Sequence, residues 1–140
     1  MPEAGCPFCA IVAGEAEATV VLSEPGAVAF LDNRPLFPGH CLLVPTEHRE
    51  TLLDLADAEV GPFFAAARRL AAAVTDAMEA QGTFVALNNV VSQSVPHLHV
   101  HVVPRRRRDG LRGFFWPRAR YSSAAEMAEV GGRIAAALRA

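Results

Sequence analysis

Three histidines alternate with apolar residues in the segment Pro96-His97-Leu98-His99-Val100-His101-Val102-Val103. In a β-strand, successive side chains point to opposite faces of the sheet, so His97, His99 and His101 would share one face. Imidazoles aligned in this way either ligate a metal, or one of them acts as nucleophile or base while its neighbours orient it. A polar, solvent-exposed sheet face is the alternative, and it is disfavoured because three of only five histidines fall in this one pattern. The segment therefore predicts a strand that carries the chemistry of the protein.

The length and composition indicate a single globular domain. The chain has 140 residues, of which 51% are hydrophobic and 20% charged, a balance typical of folded rather than disordered proteins. No apolar run approaches the roughly 20 residues that a membrane helix needs, and the amino terminus lacks the features of a secretory signal. The formal net charge of −2 gives no support to a role in coating nucleic acid. We therefore expect a cytoplasmic protein without membrane or nucleic-acid partners.

The hydrophobic pattern predicts two main helices and five strands, and therefore an α+β fold with a mainly antiparallel sheet. The first helix is expected from about Val60 to Met78, with its regular part beginning near Gly61 because Pro62 is unfavourable inside a helix. The second helix begins at a capping box that starts at Ser123. A short helical turn is expected over residues 8–13. The predicted strands are short and rich in β-branched residues: Thr19–Leu22, Ala27–Leu31, Cys41–Val44, Thr83–Leu87 and His97–Val103.

Two of the three cysteines are spaced as Cys6-Pro-Phe-Cys9. In a reducing compartment this spacing favours metal binding or redox chemistry over a disulfide. A CxxC pair supplies only half of a tetrahedral zinc site, so two further ligands would have to come from elsewhere. A zinc knuckle, a redox pair and two buried thiols all stay open on this evidence. Cys41 falls on a strand pattern, where we expect it to be a buried apolar residue.

The triad segment resembles the signature of a known family. His97-Leu-His-Val-His-Val-Val matches the pattern His-φ-His-φ-His-φ-φ, in which φ is apolar, of the histidine triad (HIT) superfamily of nucleotide hydrolases and transferases. The likeness extends in the family's order through Cys6–Glu15, Ala29–His40, Asn88–Asn89 and Gln93–Pro96, or roughly residues 6–105. It implies one HIT domain over residues 1–140, with a carboxy-terminal loop and helix from about residue 105, and a homodimer of HIT-like fold with one long central helix.

The resemblance also implies a reaction and its catalytic residues. A hydrolase of this type cleaves at the α-phosphate of a dinucleoside polyphosphate or a nucleoside phosphoramidate, with adenosine as the expected nucleoside. The central histidine, His99, would attack the phosphorus and form a covalent nucleotidyl-histidine, which water then releases as a nucleoside monophosphate. His101 would donate a hydrogen bond to a phosphate oxygen. The other expected phosphate contacts are Ser94, Gln93 and Asn88, or Asn89 in place of Asn88.

Two further residue sets follow from the same resemblance. Asp32 would accept hydrogen bonds from both ribose hydroxyls, although Asp-Asn-Arg-Pro taken alone is an ordinary turn. His40 would be a buried support of the triad within the substrate site. For the metal, His48 and His97 would join the two CxxC thiolates in a closed Cys2His2 zinc set. Such a site is structural and does not activate water. No organic cofactor is implied.

Several alternatives and departures stay open. The protein could instead be a nucleotidyltransferase or phosphorylase that uses phosphate as acceptor, a nucleotide-binding protein with little turnover, or a zinc-stabilised interaction module. The loop Val90–Ser92 is shorter than in many relatives and lacks glycine, which leaves the preferred leaving group open. Arg105–Arg108 are either solvated or attract polyphosphate at the mouth of the site. They begin an irregular segment, Arg105–Tyr121, whose apolar cluster Phe114–Trp116 is expected to enter a core or interface and to contribute to substrate choice.

Overall fold

A computed structural model describes residues 2–111 and 117–140 of the chain. It forms two compact units, residues 1–109 and residues 110–140. The prediction that both belong to one domain stays a prediction. In chain order the elements are α1 (Pro7–Val12), β1 (Val20–Glu24), β2 (Ala27–Leu31), β3 (Cys41–Pro45), a 3-10 turn (Leu52–Asp54), α2 (Asp57–Ala77), β4 (Gly82–Ala86), β5 (Val100–Arg105) and α3 (Ala124–Arg139).

The five strands form one sheet in the order β1-β2-β3-β5-β4. Every neighbouring pair is antiparallel, so the predicted α+β class with a mainly antiparallel sheet is confirmed. The register places Leu42 opposite His101 and Cys41 opposite Val102. Because β5 lies between β3 and β4, the strand that continues the histidine triad occupies the interior of the sheet.

The sheet buries both of its faces, which explains the nearly unbroken apolar runs of β2 and β3. On one face α2 packs against side chains such as Leu43 and Val100, and on the other α1 packs against Phe30 and Leu42. Leu43 is completely buried, and full burial of such a side chain stabilises a fold by about 1.5–3 kcal/mol. Cys6, Phe8 and Cys9, from α1 and the residue before it, pack on this second face.

Helix α2 begins three residues before the predicted start at Val60, and Pro62 lies inside it. The expectation that the regular part begins near Gly61 was wrong. Its first turn is held by Glu59, whose carboxylate accepts hydrogen bonds from the backbone N–H of Ala56 (2.7 Å) and from Arg49 Nε (3.1 Å). These bonds satisfy groups that a helix amino terminus otherwise leaves free. Of the predicted apolar stripe, Val60 is exposed, whereas Phe63, Ala67, Leu70 and Val74 are buried.

The triad strand differs from prediction at its beginning. Regular pairing starts at Val100, so His97, Leu98 and His99 lie in the segment just before β5. That segment is tied down by the backbone N–H of Leu98, which donates to the carbonyl oxygen of Arg49 (2.6 Å). His97, Leu98 and His99 are all buried, at 0%, 0% and 5% exposure. The shortened strand therefore leaves two triad histidines on irregular but enclosed backbone.

The unit formed by residues 110–140 contains α3. Its start is confirmed at the predicted cap, because the Ser123 hydroxyl accepts a hydrogen bond from the backbone N–H of Glu126 (3.0 Å). The Glu126 carboxylate in turn accepts from the backbone N–H of Ser122 (2.8 Å). The apolar cluster Phe114–Trp116 lies outside the described residues. Among the helices of residues 2–111 and 117–140, none is both long enough and apolar enough to span a membrane.

Candidate active site and metal centre

The central triad histidine, His99, has its ring orientation and tautomer set by the backbone. Its Nδ1 lies 2.8 Å from the carbonyl oxygen of His97. A carbonyl oxygen only accepts, so Nδ1 must carry the proton and Nε2 of a neutral ring keeps its lone pair. The ring is 5% exposed and its centroid lies 5.2 Å from that of His101. An imidazole held in this state has one free nitrogen lone pair, which is what a nucleophile at phosphorus requires.

A chain of hydrogen bonds fixes the tautomer of His101. The backbone N–H of Leu36 donates to Nδ1 of His40 (3.0 Å), so the proton of a neutral His40 lies on Nε2. That nitrogen is 2.9 Å from Nδ1 of His101 and 3.6 Å from Oδ2 of Asp32. Nδ1 of His101 therefore accepts a hydrogen bond, and its own proton lies on Nε2, where a phosphate oxygen can accept it.

His40 and His101, the two rings joined by these hydrogen bonds, are held neutral. Burial lowers the pKa of His40, against a weaker opposing effect of the Asp32 carboxylate. Burial, together with the neighbouring His99 and His40, lowers the pKa of His101 to about 4. Near pH 7 the two rings can therefore donate hydrogen bonds without carrying charge.

Four ligand groups converge at the other end of the triad. The Cys6 thiol sulfur lies 3.4 Å from Nδ1 of His97, and that of Cys9 lies 3.6 Å from the same nitrogen and 3.3 Å from Nδ1 of His48. All four ligand atoms lie within 4.8 Å of one another. Nε2 of His97 donates to the carbonyl oxygen of Pro45 (2.9 Å), so the Nδ1 lone pair of the neutral ring faces the thiols.

This donor set fits a tetrahedral zinc ion. Zinc–sulfur bonds of about 2.3 Å and zinc–nitrogen bonds of about 2.0–2.1 Å require sulfur–nitrogen edges of about 3.5 Å. The three edges above are 3.3–3.6 Å. Burial lowers the pKa of His97 and so keeps it in the neutral form that a ligand needs. The Cys6, Cys9, His48 and His97 group could therefore hold a metal.

A cavity of about 830 Å³ opens beside the triad on the α1 face of the sheet. The triad rings do not line it, but two lining residues connect it to them. Phe8 packs edge to face against His99, with ring centroids 5.1 Å apart. Asp32 lies 3.6 Å from the nitrogen of His40 that bonds His101. The lining residues are Pro7, Phe8, Ile11, Glu17, Ala18, Thr19, Phe30, Leu31, Asp32, Asn33, Leu42 and Val95.

The polar residues of the loop before the triad mostly bond to backbone. Asn88 donates to the carbonyl oxygen of Ser92 (3.3 Å), and Asn89 accepts from the backbone N–H of Leu52 (2.9 Å). Gln93 accepts from the backbone N–H of Val90 (2.9 Å) and donates to the carbonyl oxygen of Glu50. Both side chains therefore have partners within the fold, and the phosphate contacts predicted for Asn88 and Gln93 stay predictions. Ser94 is exposed.

The same loop stores backbone strain. Val90 and Ser92 have φ angles of 70° and 63°, a left-handed conformation that is unfavourable for a β-branched residue such as valine. Such conformations cost roughly 1–3 kcal/mol each and persist where surrounding contacts enforce them. Here the side chains of Asn88, Asn89 and Gln93 provide those contacts. The short, glycine-free loop Val90–Ser92 is therefore held in a strained conformation by these side-chain hydrogen bonds.

Two of the four consecutive arginines, Arg105–Arg108, have structural partners. Arg105 makes two hydrogen bonds with the carboxylate of Asp109, at 2.6 and 3.0 Å. The Arg106 guanidinium donates to the carbonyl oxygen of Met78, just past the end of α2. Cations at that position satisfy free carbonyls and the helix dipole. Sequence analysis did not find this role, nor the contact between Phe8 and His99, because both join segments far apart in the chain.

The chain is similar to known proteins over most of its length. A family model described as HIT domain matches residues 13–108, more than half of the chain. An uncharacterized HIT-like protein from Mycobacterium tuberculosis is 38% identical over 76% of this chain and 75% of its own length. A crystal structure of a HIT family member from Bacillus subtilis is 30% identical and has a TM-score of 0.85, over 94% of this chain and 95% of the other.

Three further matches bear on metal and activity. A Zn-bound histidine triad family protein from Mycobacterium smegmatis is 31% identical with a TM-score of 0.73, over 92% of this chain and 97% of the other. Two relatives from Schizosaccharomyces pombe are named for reactions. Its adenosine 5'-monophosphoramidase is 30% identical over 80% of this chain and 83% of its own length. Its asymmetrical bis(5'-nucleosyl)-tetraphosphatase is 31% identical over 59% and 47%. The aligned histidines, the sheet and these matches together place the chain in the HIT domain family.

Proposed function

We propose that the protein is a nucleotide hydrolase that cleaves at the α-phosphate of a nucleoside phosphoramidate or polyphosphate and releases a nucleoside monophosphate. The observation that carries the proposal is the tautomer of His99, whose Nδ1 proton is held by the His97 carbonyl oxygen at 2.8 Å. The free nitrogen lone pair belongs to a buried ring next to a cavity large enough for a nucleoside. The two fission-yeast relatives are named for reactions of this class.

The proposed reaction has two steps at one phosphorus. Nε2 of His99 bonds to the α-phosphorus while the P–N or P–O bond to the leaving group breaks, and the bonding electron pair departs with that group. A leaving amine takes up one proton, whereas a polyphosphate departs as an anion. Nδ1 of His99 keeps its proton, which the His97 carbonyl oxygen stabilises. Water then attacks the phosphorus, loses a proton, and displaces Nε2 to give the nucleoside monophosphate.

The surrounding groups would position the nucleotide rather than exchange many protons, as is usual in phosphoryl transfer. Nε2–H of His101 would donate to a non-bridging phosphate oxygen. Asp32 would accept the ribose hydroxyls, because it lines the cavity and its Oδ2 makes only a long, 3.6 Å contact with His40, while Oδ1 accepts from the backbone N–H of Arg34 (2.9 Å). The exposed Ser94 hydroxyl is proposed to contact the leaving group or a phosphate oxygen. Gln93 and Asn88 would act mainly by holding this loop in its strained form.

The metal proposed for the Cys6, Cys9, His48 and His97 group is zinc in a structural role. When bound, zinc would cross-link α1 to the triad segment and fill all four positions with protein ligands, which leaves none for water. The chain's own contribution is Phe8, which lies between Cys6 and Cys9 and packs against the rings of His97 and His99, at centroid distances of 5.9 and 5.1 Å. Fixing α1 would therefore also fix the packing around the nucleophile.

The oligomeric state and the location are also part of the proposal, and the base is an expectation from the resemblance. Adenosine is the nucleoside favoured by the resemblance and by the name of the phosphoramidase relative. A homodimer is likewise proposed from the resemblance, and a cytoplasmic location from the sequence composition. A phosphorylase differs only in the second step, where phosphate in place of water would yield a nucleoside diphosphate.

The test is trapping of the intermediate. The protein is mixed with adenosine phosphoramidate and, separately, with diadenosine tetraphosphate, quenched, and examined by mass spectrometry of peptides. We expect an adenylyl group on the peptide with His99, steady release of AMP, and loss of both in His99→Ala. A melting curve and AMP titration show whether that variant is folded. Tight AMP binding without adduct or turnover would contradict a hydrolase and favour a binding protein, and ADP formation in added phosphate would favour the phosphorylase.

A further inference from the structure

In the part of the chain that the structure describes, Glu17 and Asn33 are polar side chains of the cavity without partners, and the Thr19 hydroxyl is a third. Glu17 and Asn33 both line it and both are exposed. Within residues 2–111 and 117–140, neither side chain makes a hydrogen bond or an ion pair. Most of the remaining lining is apolar, including Phe8, Ile11 and Phe30. The cavity therefore offers a flat ligand apolar walls and a small polar recognition set.

The backbone places Glu17 and Asn33 at the same end of the β1–β2 strand pair. Val20 pairs with Phe30, and the backbone N–H of Leu31 donates to the carbonyl oxygen of Thr19 (3.0 Å). Glu17 and Asn33 each lie two residues beyond this bond, and both line the cavity. Asp32, next to Asn33, instead contacts His40 on the triad side. If Asp32 takes the ribose, Glu17 and Asn33 remain for the base.

These two groups match the edge of one base in particular. A carboxylate accepts two parallel hydrogen bonds, and guanine presents two adjacent donors, N1–H and the N2 amino group. The carboxamide of Asn33 can donate to O6, the acceptor beside them. Adenine presents the unprotonated N1 to the same place, where it would face the Glu17 carboxylate with two lone pairs opposed. Only one adenine donor, the N6 amino group, is left to bond.

We propose that this cavity selects guanine over adenine, with Glu17 and Asn33 as the specificity-determining residues. The inference rests on the proposed function, since it requires a nucleotide with its ribose at Asp32. It differs from the adenosine expected by resemblance, because it depends on the lining side chains of this chain. Hypoxanthine, which has N1–H but no N2 amino group, should bind with intermediate affinity.

The experiment is calorimetric titration of the full chain with GMP, IMP and AMP, which are products and are not consumed. GMP should bind roughly tenfold more tightly than AMP, the lower end for bonds to a charged acceptor at an exposed rim. Glu17→Gln should bring the GMP to AMP ratio close to one, and Asn33→Ala should weaken GMP more than AMP. Glu15→Gln, the same change two residues away and outside the cavity lining, should leave the ratio unaltered.

The outcomes separate the two proposals. AMP binding at least as tightly as GMP, or a GMP preference that survives Glu17→Gln, would overturn the guanine inference. If His99 still forms an adduct in that case, the proposed hydrolase stands. If none of the three nucleotides binds to folded protein, the nucleotide site and the proposed function fail together.

Discussion

The two ends of the histidine triad use similar residues in opposite ways. At one end Cys6, Cys9, His48 and His97 turn ring nitrogens and thiols toward a common centre, and the Nδ1 of a neutral His97 is unprotonated. At the other, Asp32, His40 and His101 also lie within metal-binding distance of one another. There, however, a proton on His40 Nε2 already bridges to His101 Nδ1 at 2.9 Å. The backbone partner of His97 is a carbonyl and that of His40 is an N–H, and this difference decides whether the space between the ligands suits a cation or a proton.

The largest expected effect comes from breaking the metal-ligand group Cys6, Cys9, His48 and His97. Cys6→Ser should abolish stoichiometric zinc and lower the free energy of unfolding by on the order of 5 kcal/mol. This is less than the 10 kcal/mol or more that zinc provides to isolated zinc fingers, because this domain also has apolar cores. Residual turnover should persist, since the role proposed for the zinc is structural. The measurements are metal analysis by mass spectrometry, chemical denaturation and AMP release.

Cys41→Ser provides the control, because Cys41 is also a buried thiol but lies outside the metal group. Its zinc content should equal that of the unmodified protein. A folded Cys6→Ser protein without any turnover would show that the metal site has more than a structural role.

A smaller effect is expected from breaking the hydrogen bond between His40 and His101 at the other end of the triad. His40→Ala removes the donor to His101, and leaving that buried nitrogen unpaired should cost about 1–3 kcal/mol of stability. The free His101 ring should also lower kcat by roughly 10²-fold, a typical effect of losing an orienting partner. His40→Gln, whose amide can still donate, should recover part of kcat. Zinc content should not change in either variant, and a loss of zinc would contradict the independence of the two ends.

The smallest expected effect is a pH dependence of stability that arises from His40 and His101. The pKa of His101 falls from its usual 6.5 to about 4 on folding, so the unfolded state binds more protons between these values. Stability should therefore decrease as pH falls through this window, by at most about 1.4 kcal/mol per pH unit for this histidine. His40 has a lowered pKa and acts in the same direction, and Asp32 and His99 are the other charged or titratable groups facing the pair. Because His97 also has a lowered pKa, the His101 contribution is isolated by difference, from denaturation of zinc-free Cys6→Ser and of a Cys6→Ser, His101→Asn double variant between pH 7 and 4. Identical profiles of the two proteins would contradict it.

Sequence analysis predicted the features that depend on local pattern. Alternation over residues 97–103 predicted the triad strand, of which the part from Val100 forms, and CxxC predicted a metal or redox site. Because Pro62 disfavours a helix locally, the same reasoning placed the start of α2 too late, whereas the Glu59 bonds to Ala56 and Arg49 overcome that preference. The recognition set Glu17 and Asn33 gave no local signal, since an exposed glutamate and asparagine are ordinary in loops.

The sequence by itself therefore determined the fold class and the family, because strand alternation and motif spacing are short-range properties. Only the tertiary structure decided how these residues are used. His48 and His97 reach the CxxC thiols across 39 to 91 positions, and His40 meets His101 across 61. Such contacts depend on the register of β2, β3 and β5 and on the backbone groups that this register places beside each ring. Those backbone groups set the tautomers, and the tautomers decide which ring nitrogens can donate a hydrogen bond and which keep a lone pair.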